Sequence, residues 1–161
     1  MKTLMIIDMQ RGYIKDGAQA LIPKINLLPD RFDRCIYIKT INDESCSARL
    51  LANWKALATS AQQEIVVNIK SGSKVFERNT HGIPQQVIDY LKRMGAKEVY
   101  LCGLDADICI LAIAHQLFDN GIMPLVLREY TTTSSSHKHL ADYAFEIMKR
   151  SFGKKSVVEK F

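Results

Sequence analysis

Five short runs rich in β-branched and other apolar residues punctuate the chain: TLMIID (3–8), RCIYIKT (34–40), EIVVNIK (64–70), EVYLCG (98–103) and MPLVLRE (123–129). Most are apolar throughout instead of alternating with polar residues. Continuous apolarity is the signature of a parallel strand covered on both faces, because a half-solvated antiparallel strand would expose every second side chain. Helical periodicity fills the intervals. Leu50, Leu51, Trp54, Leu57, Ala58 and Ala61 share one helical face, and so do Val87, Ile88, Leu91 and Met94 in a helix opened by Pro84 and ended by Gly95. Leu140, Tyr143, Ala144, Ile147 and Met148 repeat the spacing, and KSVVEKF at the end offers a short sixth strand. Alternation of this kind predicts an α/β three-layer sandwich: a mostly parallel sheet of five or six strands, right-handed crossovers, and helices on both faces.

The chain has 161 residues, 47% of them apolar, enough for one compact domain spanning 1–161, and it shows no repeat, low-complexity tract or linker. It lacks an apolar run of the ~18 residues needed to span a bilayer. The opening MKTLMIIDMQ is broken by Asp8 too early for a secretory signal. A soluble, cytoplasmic protein with no membrane association is expected. Cys35, Cys46, Cys102 and Cys109 form neither CxxC pairs nor zinc-site spacings, so reduced thiols are the default in that compartment. The net charge of +5 gathers near the C-terminus, in MKRSFGKKSVVEK, and no basic stripe interleaved with aromatics is present. Nucleic acid is therefore not an expected partner.

In open parallel sheets, ligands bind beyond the carboxyl ends of the strands. Three reactive side chains are expected there: Asp8 ends the first strand, Lys70 the third, and Cys109 follows the fourth. Asp107 suits the N-cap of the next helix, which would make Ile108 and Cys109 its first two residues. The unpaired N–H groups and positive dipole of a helix mouth favour an anion, whether a thiolate or an oxyanion forming on a substrate. A free thiol of pKa ~8.5 is only ~3% ionised at pH 7, so a fall of ~2 units would make it mostly thiolate. A neighbouring Lys70 would push the same way, and Asp8 would serve as base. Each residue also has an ordinary reading: a small packing residue for the cysteine, a strand-end cap for the aspartate, a solvated side chain for the lysine.

Three segments resemble the isochorismatase-like cysteine hydrolases, a family that includes nicotinamidases and N-carbamoyl amidohydrolases. LMIIDMQRGY is similar to the family's opening strand, an apolar run closing on Asp-Met-Gln with an aromatic, here Tyr13, five positions after the Asp. IKSGSKVF resembles its lysine segment, selecting Lys70 over Lys74, and CGLDADICI resembles its Gly-x-x-Thr-Asp-x-Cys-Val turn. TTTSSSHKHLADYAFEIMKRSFGKKSVV is similar to its closing segment. The resemblance implies a sheet of order 3-2-1-4-5-6 and a catalytic Asp8, Lys70 and Cys109. It also implies a cis peptide at Leu104-Asp105, oxyanion donors from the Asp105 and Cys109 amides, and Tyr13 walling the substrate pocket. The expected reaction is attack of the thiolate on an amide, ureide or related C–N carbonyl of a small molecule, through a covalent acyl-enzyme and without cofactor. TINDESCSARLLANWK lacks the histidines that nicotinamidases use as metal ligands after the second strand, so no metal is expected. Homo-oligomerisation is expected from the family.

His81, His115, His137 and His139 have no evident partners, and SGSK lacks the flanking residues of a phosphate loop. Two rival readings stand. One is a catalytically silent binding or regulatory module, consistent with Asp105 and with Ala106 where the family usually has threonine. The other is a flavodoxin-like nucleotide binder, which lacks a Gly-rich phosphate loop after the first strand.

Overall fold

The computed structural model describes every residue except Asp16. Its strands are β1 (Thr3–Ile7), β2 (Arg34–Thr40), β3 (Lys74–Arg78), β4 (Glu98–Gly103), β5 (Met123–Thr131) and β6 (Val157–Val158). All pair in parallel, in the order 3-2-1-4-5-6. The helices are α1 (Leu21–Asn26), α2 (Ser47–Ala52), α3 (Ser60–Gln63), α4 (Gln85–Arg93), α5 (Leu111–Asp119) and α6 (His139–Phe152). None is long and apolar enough to cross a membrane.

The strands read as apolar throughout because the sheet has a core on each side. Met5, Ile7, Ile36 and Ile38 pack with buried residues of α4, α5 and α6, while Leu4, Ile6, Cys35 and Tyr37 pack with Leu21 and Ile25 of α1. Successive residues of one strand thus serve opposite layers, which removes polar alternation from the central strands.

The third strand differs from the expected one. The run 64–70 does not join the sheet; it crosses the end of β1, with Arg11 N donating to Glu64 O at 2.9 Å, Val66 N to Met9 O at 2.9 Å, and an antiparallel bridge between Gln10 and Ile65. Tyr37 fixes its far end, donating from its hydroxyl to Asn68 O at 2.9 Å and accepting from Lys70 N at 3.1 Å. Its apolar character comes from packing of this crossing against the α1-side core, where Val67 is buried. The edge position belongs to KVFER, whose exposed Lys74, Val75 and Glu77 suit a strand with only one neighbour.

Two helical readings also change. The predicted face over 50–61 is broken by left-handed Asn53 (φ 51°) and Leu57 (φ 55°), leaving the short α2 and α3 on either side of a strap. In α6 the buried residues include Ala141, Ala144, Phe145 and Met148, whereas Tyr143 and Ile147 are exposed.

Candidate active site

The carboxyl ends of β1, β2 and β3 meet at one carboxylate. Asp8 follows the last residue of β1 with φ 52°, and its N–H donates to Ile38 O at 3.0 Å. Thr40 ends β2 and pairs in register with Arg78, the end of β3. From there Thr40 Oγ1 donates to Asp8 Oδ1 at 2.9 Å, and Arg78 Nη2 donates to Asp8 Oδ2. Gln10 holds Thr40 in place, accepting from its N–H and donating to its carbonyl, both at 2.8 Å. The ion pair is sealed from water: the Asp8 and Arg78 side chains are 0% and 1% exposed. Arg78 Nη1 donates to Thr80 O, and Arg78 Nε is buried without a partner. Burial raises the Asp8 carboxyl above its ordinary range, against the opposing pull of Arg78, Cys109 and Thr40. Burial works hardest against the Arg78 charge, but the charges and hydrogen bonds of Asp8 and Cys109 together outweigh it and raise the guanidinium above its ordinary value.

Cys109 reaches the same point from β4. Gly103 (φ 113°) lets the chain turn against β1, where a Cβ would lie 2.1 Å from Ile7 O, and Leu104 N donates to that same carbonyl at 2.9 Å. The Leu104-Asp105 peptide is cis. A π-helical turn over Ala106–Ile110 follows, closed by Ile110 N donating to Asp105 O at 3.0 Å and tied to the end of β5 by Ala106 N donating to Thr132 O at 2.9 Å. The turn begins two residues earlier than the predicted helix. Asp107 therefore lies inside it and caps nothing; its Oδ1 is buried without a partner.

The Cys109 sulfur is close enough to Asp8 and Arg78 for both to act on it, but its thiol is pushed up to about 12, chiefly by burial, next by the Asp8 charge, with Arg78 opposing. The expected depression by the helix mouth is thus overturned. Desolvation outweighs it at a residue only 5% exposed.

Lys70 is not brought to this cluster. Its ammonium donates to Pro29 O at 2.7 Å and Phe32 O at 3.2 Å and lies 3.9 Å from the Asp30 carboxylate. The displaced third strand is the reason: the residue that ends the real β3 is Arg78. It stands two strand spacings from β1, roughly 9.6 Å, and a guanidinium leaning over Thr40 covers that gap. Applying the strand-end rule to KVFER would have found it.

Above the cluster opens a cavity of about 660 Å³ whose lining includes Cys109, Arg78, Tyr13, Trp54, Asp105 and Ser134. Tyr13 and Trp54 stack, with ring centroids 6.1 Å apart and planes at 23°, and form an aromatic wall. Tyr13 thus lies on the cavity lining. Trp54 stands on this wall and not on a helical core face, because the chain breaks at Asn53. Burial, then the charges of Asp8 and Cys109, drives the Tyr13 hydroxyl well above the ordinary phenol value. His81 lies on the lining and is exposed; His115 packs edge-on against Phe152 at 4.8 Å.

A profile of the isochorismatase domain matches residues 2–159. No curated protein sequence matches the chain. Among solved structures, the pyrazinamidase of Pyrococcus horikoshii in complex with zinc superposes with a TM-score of 0.86 at 19% identity, covering 99% of each chain. The N-carbamoylsarcosine amidase of Thermoplasma acidophilum gives 0.77 at 19% identity over 97% of each, and the pyrazinamidase/nicotinamidase of Streptococcus mutans 0.83 at 15% over 98% of this chain and 100% of that one.

The residues present do not fit a zinc site. After β2 stand Asn42, Asp43 and Ser45, and the Asp43 carboxylate accepts from Ser45 Oγ at 2.7 Å and Asn79 Nδ2 at 3.3 Å. Among the described residues no three His, Cys, Asp or Glu are placed so that they could hold a metal ion, whereas structural zinc takes four such ligands and catalytic zinc about three. With a profile match across nearly its whole length, a six-stranded sheet in the matching order and a cysteine turn at the end of β4, the chain belongs to the isochorismatase family of hydrolases.

Proposed function

We propose that the protein hydrolyses a small amide, ureide or related C–N substrate through a covalent acyl-enzyme, with Cys109 as nucleophile, Asp8 as base and Arg78 as the charge that supports both. The observation that carries this reading is the convergence of buried Asp8 with Arg78 and Cys109, two residues that line one cavity. The amidase and nicotinamidase named among the structural neighbours agree with it.

With the thiol at about 12, little thiolate exists before substrate arrives. The proton therefore leaves sulfur as the C–S bond forms. Sγ attacks the carbonyl carbon while Asp8 takes the thiol proton, and the oxygen becomes an oxyanion facing the Asp105 and Cys109 amides. The tetrahedral species collapses as the C–N bond breaks, and Asp8 returns the proton to the leaving nitrogen. Water then attacks the thioester, giving one proton to Asp8. Cleavage of the C–S bond releases the carboxylic acid, and that proton restores the thiol. Arg78 keeps Asp8 anionic between proton transfers and offsets negative charge on sulfur. The donor set supports chemistry by side chains and backbone alone, without a bound metal.

The silent-module reading draws on one observation, a thiol held protonated in a residue only 5% exposed. A screen of small amides, ureides and carbamates against wild type, Cys109→Ala and Asp8→Asn decides between them. Hydrolysis by wild type, lost in both variants, is expected, with an acyl adduct on Cys109 visible by mass spectrometry after acid quench. Absence of any adduct or turnover favours the silent module.

A further inference from the structure

The charges around the sulfur do not balance. Asp8 is neutralised by Arg78. Asp105, on the same cavity wall, is 8% exposed and forms no ion pair among the described residues. Its oxygens are held only by neutral donors of one residue: Ser134 N at 2.6 Å to Oδ1 and Ser134 Oγ at 2.9 Å to Oδ2. Each oxygen keeps a lone pair for a further donor. Burial raises the Asp105 carboxyl, Ser134 pulls it back, and Asp107 and Asp8 raise it further, so a cation is what the position lacks. The wall also presents the stacked faces of Tyr13 and Trp54, which attract a cation through the ring quadrupole. Lys15 on the lining is exposed, where solvent and salt screen it far more than they screen a buried carboxylate.

Resting on the cysteine-hydrolase reading, we infer that the substrate carries a cationic nitrogen, an ammonium or guanidinium group, which Asp105 and the Tyr13–Trp54 wall receive while Cys109 attacks the amide carbonyl. Asp105 is then a specificity residue. Its backbone serves the oxyanion, and its side chain reads the charge at the other end of the molecule.

The test labels Cys109 with three methanethiosulfonates that deliver a trimethylammonioethylthio, a methylthio or a sulfonatoethylthio group. In each case the sulfur attacks the reagent's S–S bond, a mixed disulfide forms and methanesulfinate leaves. Rates are measured by peptide mass mapping, normalised to a free peptide thiol, with Cys109→Ser as control. Wild type should favour the cationic reagent over the neutral one and disfavour the anionic one. Asp105→Asn keeps an acceptor for Ser134 N and an amide for Ser134 Oγ while removing the charge. It should lower the cation-to-neutral ratio roughly tenfold, as expected for one unit charge in a partly desolvated site. A ratio unchanged within about twofold overturns the inference and leaves the hydrolase reading standing. A wild-type ratio no higher than that of the free thiol overturns it without any variant, so the result does not depend on Asp105→Asn folding. Failure of all three reagents to label Cys109 removes the hydrolase reading, and this inference with it.

Discussion

Arg78→Met isolates the ion pair on which the site is built. The substitution keeps an unbranched stem of similar girth and deletes the guanidinium, leaving the Asp8 carboxylate 0% exposed with one side-chain donor, Thr40 Oγ1 at 2.9 Å. Removing one partner of a buried pair costs about 3–5 kcal/mol, because the other charge stays desolvated without compensation. At ~2–4 °C per kcal/mol for a domain of this size, the melting temperature should fall by roughly 6–20 °C. The loss should depend on pH with a definite sign. Without Arg78 the folded-state pKa of Asp8, already raised, rises further, and a raised carboxyl contributes stability that is present below its unfolded value and lost as pH climbs through the folded one. The deficit relative to wild type is therefore largest near neutrality and shrinks in acid. Urea unfolding of wild type, Arg78→Met, Asp8→Asn and the double variant, at pH 7 and pH 5, measures both effects. The double variant carries no buried charge at the pair and should be more stable than the sum of the two single losses allows, by about 1–3 kcal/mol. An Arg78→Met protein within ~1 kcal/mol of wild type, combined with additive behaviour in the cycle, would refute the account of the site as a desolvated Asp8–Arg78 pair.

Lys70→Met should cost less than about 1 kcal/mol and leave amide hydrolysis intact, because the ammonium is 34% exposed and binds carbonyls remote from the sulfur. Gly103→Ala should lower stability by roughly 3 kcal/mol or prevent folding, since its Cβ would sit 2.1 Å from Ile7 O at φ 113°; thermal denaturation reads this directly. A thiol shifted from 9.0 to about 12 binds its proton more tightly folded than unfolded, so its contribution holds below pH 9 and is lost as pH rises toward 12. Cys109→Ala should abolish roughly 2–3 kcal/mol of that alkaline decline, read as the difference between the two proteins' unfolding free energies from pH 8 to 11. Prolonged dialysis against a strong chelator should leave hydrolysis and melting temperature unchanged, and a loss restored by zinc would contradict the donor-set argument.

What the sequence revealed and what it hid follow one physical distinction. Burial on both faces makes Leu4–Ile7 and Cys35–Ile38 apolar throughout, and that pattern is visible in one dimension. Edge position has the opposite effect. KVFER keeps charges because one side of β3 has no strand beside it, so it lacks the apolar run that marks a core strand, while the apolar crossing at 64–70 imitates one. The error is only about ten residues, yet it exchanges the cation that meets Asp8. The turn after β4 that carries Cys109 was legible, but the thiol's proton affinity was not, because burial is a sum over neighbours from β1, β3 and β5 that no local spacing records.

The same burial explains why an arginine suits this place and yields a sharper test. A guanidinium, whose ordinary value is far above neutral, stays charged at 1% exposure, and Asp8 and Cys109 raise it further. A lysine starts about two units lower and can be driven down several units by desolvation, so its charge at this position would survive only through Asp8. Arg78→Lys should therefore fold and turn over near neutrality but lose kcat/KM at a lower pH than wild type on the alkaline side. As the ammonium gives up its proton, the sulfur and Asp8 lose their shared counter-charge together. The acid limb, set by protonation of Asp8, should move upward, because a single ammonium offers weaker support than a guanidinium that donates to Asp8 and Thr80 at once. Superimposable pH profiles for the two proteins would mean that the cation acts only by filling space, and the charge-support role given to Arg78 would have to be abandoned.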